Sequence, residues 1–113
     1  MPLPNPLPAP LVELIAQRFR VLGEPTRISL LDNLRAGEAS VQELADVTRA
    51  TQQNVSKHLA TLHAAGIVSR RKEGTRTLYA IADETVFELC EHVCGSLQAQ
   101  VAELAGLLEG ASA

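Results

Sequence analysis

Thr51-Gln52-Gln53-Asn54-Val55-Ser56-Lys57-His58-Leu59-Ala60-Thr61-Leu62-His63-Ala64-Ala65-Gly66 carries two patterns at once. Val55, Leu59 and Leu62 are spaced four and three apart, which draws one apolar stripe along a helix. Thr51 has the side chain of an N-cap, and Gly66 suits the left-handed residue just past a helix end. Off the stripe lie Gln52, Gln53, Asn54, Ser56, Lys57 and His58, a run rich in groups that both donate and accept hydrogen bonds. An amide bonds bidentately to adenine, while Lys and Ser serve bases or phosphates, so such a helix is equipped to read a major groove. A polar solvated face would look similar in isolation. The neighbouring elements decide between the two.

Upstream, Ser40-Val41-Gln42-Glu43 has the form of a capping box and predicts a short helix through Leu44, Ala45 and Val47. Two helices joined by so short a connection, the second polar at its start, are the pattern of a helix-turn-helix. Before it, Pro25 suits a first helical turn, and Ile28, Leu30, Leu31 and Leu34 predict a helix that ends before Gly37. Leu11, Leu14, Ile15, Arg18, Phe19 and Leu22 predict an amphipathic first helix stopped at Gly23. Residues 1–10 hold five prolines at every second position, which predicts a disordered, extended arm and places the folded domain at residues 11–110.

Downstream, Ile67–Arg71 and Arg76–Ile81 read as strands around a turn at Lys72-Glu73-Gly74-Thr75. This hairpin carries Arg70, Arg71, Lys72 and Arg76, cations that can lie along phosphates or enter a minor groove. From residue 83 to 108 a near-heptad stripe of Val86, Leu89, Val93, Leu97, Val101, Leu104 and Leu108 predicts a long helix. Its apolar face exceeds what one small domain needs, so it is expected to pack against a second copy with the first helix alongside. The fold class expected is mainly α with a small β-hairpin (α+β), a winged helix-turn-helix dimeric through its first and last helices.

Composition narrows the function. In 113 residues the aromatics are Phe19, Phe87 and Tyr79 alone, leaving no platform for stacking single-stranded bases. The net charge of −3 is unevenly spread. Arg49 to Arg76 holds six Lys or Arg against Glu73 alone, whereas Asp83 to the end holds six acids and neither Lys nor Arg. A basic middle and an acidic tail predict an anion-binding face and a separate surface of other purpose. The amino terminus lacks a basic signal region and no apolar run reaches membrane length, so a cytoplasmic protein without membrane contact is expected.

The order of elements and five local strings resemble the ArsR-type winged helix-turn-helix transcriptional regulators over about residues 16–95. They are Leu22-Gly-Glu-Pro-Thr-Arg-Ile28, Ser40-Val-Gln-Glu-Leu-Ala45, Gln53-Asn-Val-Ser-Lys-His-Leu59, Leu62-His-Ala-Ala-Gly-Ile-Val68 and Arg70-Arg-Lys-Glu-Gly-Thr-Arg76. The resemblance implies a homodimeric repressor, not an enzyme, that binds a palindromic double-stranded DNA operator and releases it when an effector binds. Base contacts are then expected from Gln52, Gln53, Asn54, Ser56 and His58, with Lys57 on phosphate. Arg71, Lys72, Thr75 and Arg76 are expected to hold the wing against the DNA.

Two effector sites of the family are absent here. Where arsenite-type members place Cys-x-Cys at the third helix, this chain has Ser40 and Gln42; where zinc-type members continue from an aspartate with His, His and Glu, Asp83 is followed by Thr85, Ser96 and Ala99. What remains is Glu88-Leu-Cys90-Glu91-His92-Val-Cys94. Cys90 and Cys94, four apart, share a helix face and could ligate a soft or borderline ion, while His92 shares a different face with Glu88. A divalent metal effector (nickel, zinc, cobalt or cadmium) at Cys90, Cys94, His92 and Glu88 is therefore expected, completed from a partner chain. Thiol-redox control through Cys90 and Cys94, simple packing of Cys90, and control by a protein partner through the proline arm are the alternatives.

Overall fold

The computed structural model describes residues 1–111. The chain divides into two compact units, the first Met1–Ala82 and the second from Asp83 onward. The first unit runs α1 (Ala9–Leu22), α2 (Pro25–Leu34), β1 (Ala39–Ser40), α3 (Val41–Thr48), α4 (Gln52–Ala64), β2 (Val68–Glu73) and β3 (Arg76–Ile81). The second is the single helix α5 (Thr85–Ala111). Helix α1 starts at Ala9 and takes in Pro10, two residues inside the stretch read as an irregular arm. Proline at the first helical turn costs no hydrogen bond, so the proline run does not exclude a helix at its own end.

The starts of α2, α3 and α4 follow from local side-chain caps. The Glu24 carboxylate accepts from the Arg27 N–H at 3.0 Å and caps α2. At α3 the Ser40 hydroxyl accepts from the Glu43 N–H while the Glu43 carboxylate accepts from the Ser40 N–H, the complete capping box. Thr51 caps α4 by accepting from the Asn54 N–H at 3.1 Å. Gly66, at φ +74°, closes it: its N–H donates to the His63 carbonyl and the Ile67 N–H donates to the Leu62 carbonyl, the Schellman pair. Between α3 and α4 the turn is Arg49 to Thr51, and Arg49 itself takes the left-handed conformation at φ 57°.

Leu30, Leu31 and Leu34 of α2, Leu44 of α3 and Val55, Leu59 and Leu62 of α4 are buried together with Ile67 and Leu78. Helix α4 packs against α2, α3 and β2, so its whole apolar stripe lies inside. Ile28, Leu14 and Phe19 fell within the apolar patterns of the first two helices but stay about half exposed. The sheet has three antiparallel strands in the order β1-β3-β2. The hairpin strands run to Glu73 and from Arg76, so the turn is only Gly74-Thr75, with Gly74 at φ +64° where a tight hairpin needs positive φ. Strand β1, two residues pairing Ala39 with Tyr79 and Ser40 with Leu78, ties the start of α3 to the hairpin.

Leu59 is completely buried. Leu59→Ala should lower the unfolding free energy by about 2–5 kcal/mol, measured by urea denaturation, because the cavity forms where three elements meet.

Candidate nucleic-acid interface

The buried stripe of α4 fixes what faces outward. Gln52, Gln53, Asn54, Ser56 and Lys57 are all exposed over its first turns. Gln52 and Ser56 line one side of an open polar cleft of about 480 Å³. Thr75 and Arg76 of the hairpin line another, and Gln42, Glu43 and Asp46 of α3 contribute to it as well. Reading helix and wing thus border the same groove, as a duplex-binding surface requires.

His58 departs from the expectation. Its side chain is only 14 % exposed. Its Nδ1 accepts from Arg27 Nε at 3.1 Å, and its Nε2 lies 3.8 Å from the Glu24 carboxylate. Arg27 also donates through Nη1 to the Val21 carbonyl at 2.9 Å. The ring therefore belongs to a polar junction between the end of α1, the start of α2 and α4, and not to the base-reading set. The sequence placed it one residue beyond Lys57 on a polar run; what it lacked was the long-range partner that turns the ring inward.

The wing brings a second surprise. Arg71 is bound by the Glu38 carboxylate through both Nε, at 2.9 Å, and Nη2, and it also pairs with Glu73 at 2.9 Å. Arg76 reaches Glu43 at 3.3 Å. The hydrogen bond from Arg71 holds the Glu38 carboxyl below its ordinary value, and the bonds from Ser40 do the same for Glu43. The Glu38 and Glu73 carboxylates in turn keep the Arg71 guanidinium more firmly protonated. Both acids stay ionised through the neutral range. The stability they add is present above the ordinary carboxyl value of 4.5 and is lost only as pH falls through their lowered values. Lys72 and Thr75 are exposed.

On α5, Cys90 and Cys94 are both exposed, so Cys90 is not a packing residue within one chain. Glu88 and His92 are exposed as well. Among the described residues no group of three or more His, Cys, Asp and Glu is gathered closely enough to hold a metal ion. The expected set of Cys90, Cys94, His92 and Glu88 is therefore not a site in one chain, because the helix turns the thiols and the His–Glu pair to different sides. Val93, Leu97, Val101, Leu104 and Leu108 remain half exposed or more. Among the described residues no helix is long and apolar enough to cross a membrane.

A short helix, an exposed polar helix after a three-residue turn, and a basic hairpin sharing a cleft define a winged helix-turn-helix protein. Residues 24–70 match the family described as "Bacterial regulatory protein, arsR family". The chain is 40% identical over 86 residues, 76% of its length and 66% of the relative's, to the HTH-type transcriptional regulator KmtR of Mycobacterium tuberculosis. It is 36% identical over 74 residues, 66% of its length and 59% of the relative's, to the "Probable mercury resistance operon repressor" of Streptomyces lividans. The chain thus spans about three fifths to two thirds of the length of these curated relatives. The solution structure of the homodimeric winged helix-turn-helix DNA-binding domain Mb0332 from Mycobacterium bovis superposes with a TM-score of 0.71 at 32% identity, covering 84% of this chain and 88% of that one. The chain belongs to the arsR family of bacterial regulatory proteins, a family of DNA-binding transcriptional regulators and not of enzymes.

The junction carries a prediction. Arg27→Ala leaves the Val21 carbonyl and the His58 ring without their donor, and should cost about 1–3 kcal/mol of unfolding free energy in urea. His58→Ala should likewise lower stability while leaving base preference on DNA unchanged, read from binding to a panel of single-base operator variants.

Proposed function

We propose that this chain represses transcription as a homodimer bound to an inverted-repeat operator in double-stranded DNA. The observation that carries the reading is the shared cleft, in which Gln52 and Ser56 of the reading helix face Thr75 and Arg76 of the wing. Gln52, Gln53, Asn54 and Ser56 contact base edges, and Lys57 takes a phosphate. Lys72, Thr75, Arg71 and Arg76 hold the wing against the backbone, the two arginines after leaving their carboxylates. Gln53→Ala should weaken operator binding by about 1–3 kcal/mol in a mobility-shift titration. Undiminished affinity would remove Gln53 from the reading set.

The dimer reading rests on the exposed apolar stripe of α5, too large to leave in water, and on the homodimeric state of the M. bovis neighbour. A two-fold axis doubles the contacts with a palindromic site. Leu97→Glu should shift the protein toward monomer in sedimentation equilibrium and weaken operator binding with it; a persistent dimer would move the interface elsewhere.

Control of operator binding is proposed at Cys90 and Cys94. The two exposed thiols share one helix face amid acidic residues, and the S. lividans relative is described in terms of mercury resistance. A divalent metal ion as effector needs donors from the second copy in addition, since one chain supplies only this pair on one side. An effector of any chemistry weakens DNA binding only as far as it prefers the DNA-incompetent arrangement. The same exposed pair supports thiol oxidation as the second reading. Titration of the reduced protein with Ni(II), Zn(II), Co(II) and Cd(II), beside a Cys90→Ser/Cys94→Ser variant, separates them. Tight binding with a thiolate absorbance band, lost in the variant, supports the metal; no binding by the wild type, with DNA release on oxidation, supports the redox reading.

A further inference from the structure

The hairpin has two faces of opposite electrostatic character. Cross-strand pairing sets Arg71 opposite Leu78 and Glu73 opposite Arg76, so these alternate residues share one face, while Arg70, Lys72, Thr77 and Tyr79 share the other. The first face is self-neutralised. Arg71 is held by Glu38 from the segment before β1 and by Glu73 on its own strand, and Arg76 by Glu43 at the start of α3. On the second face Arg70 and Lys72 are exposed cations. Half of the wing's positive charge therefore already has carboxylate oxygens where DNA would supply phosphate oxygens.

We propose that Glu38 and Glu73 are specificity-determining residues that occupy Arg71 in place of a DNA phosphate, an inference that rests on the duplex-binding reading above. Bidentate engagement makes Glu38 the stronger competitor, since a guanidinium fork matches a carboxylate and a phosphate equally well. Non-specific binding consists almost wholly of phosphate contacts, so each cation withheld lowers it and flattens its salt dependence. On the operator, base contacts from α4 hold the duplex in register long enough for Arg71 to exchange carboxylate for phosphate. On random DNA nothing holds it there, and Arg71 stays with Glu38 and Glu73. The acids thus separate specific from non-specific affinity without touching DNA.

The test measures binding of the wild type and Glu38→Gln/Glu73→Gln to a random-sequence duplex and to the operator, each over a range of salt concentrations. A parallel pair of proteins carries Arg71→Ala. In the double-Gln variant the non-specific salt slope should steepen by about one, with affinity rising about three- to tenfold and the operator-to-random ratio falling. In the Arg71→Ala background the same two substitutions should produce neither change, as a double-mutant cycle requires. An equal rise in that background would reduce the effect to general loss of negative charge and overturn the proposal. An unchanged slope with operator binding intact would overturn it alone, whereas no DNA binding by any protein would overturn the interface reading with it.

Discussion

Val55, Leu59 and Leu62 are fully buried along one side of α4, and the orientation of everything else on that helix follows from this packing. Once the stripe is locked against α2, α3 and β2, Gln52, Gln53, Asn54, Ser56 and Lys57 have nowhere to face but outward. The Thr51 cap and the Schellman closure at Gly66 set where the helix begins and ends, and so which residues occupy its exposed first turn. The Arg27 junction then fixes its rotation about its own axis. Arg27 reaches His58 on α4 and the Val21 carbonyl at the end of α1, tying the reading helix to the first helix by two hydrogen bonds. A change in how α1 is held would be felt at α4 through this arginine.

The electrostatics follow a similar logic of restraint. A DNA-binding surface built only from cations would hold any duplex, because the backbone charge is the same everywhere. Here Arg71 and Arg76 are matched by Glu38, Glu73 and Glu43, and Glu43 and Asp46 enter the cleft itself. Exposed ion pairs of this kind add little to folding stability. Their proposed consequence is competition with phosphate.

Much of this was legible from residue types and spacing. Short-range rules located every helix to within a few residues, because caps, glycines and the 3.6-residue period are local signals. The five matched strings implied the family, and with it the function class. Three features were not local and were missed. The inward turn of His58 depends on Arg27, thirty-one positions away, and the neutralised wing depends on Glu38, thirty-three positions from Arg71. Strand β1 is two residues long and exists only through its pairing with β3, so no periodicity could announce it. The Cys90–Cys94 pair and the Glu88–His92 pair were read on different faces of one helix, and within one chain the described residues gather no group of three or more donors.

The central claim is that α4 and the wing together read a two-fold symmetric duplex. Selection of binding sites from a library of random duplexes by the full chain tests it directly. The account predicts enrichment of an inverted repeat whose half-sites are separated by about one helical turn, 10–10.5 bp between centres, or a multiple of it. Enrichment of a single unrepeated site, or of no sequence at all above the random background, would contradict it.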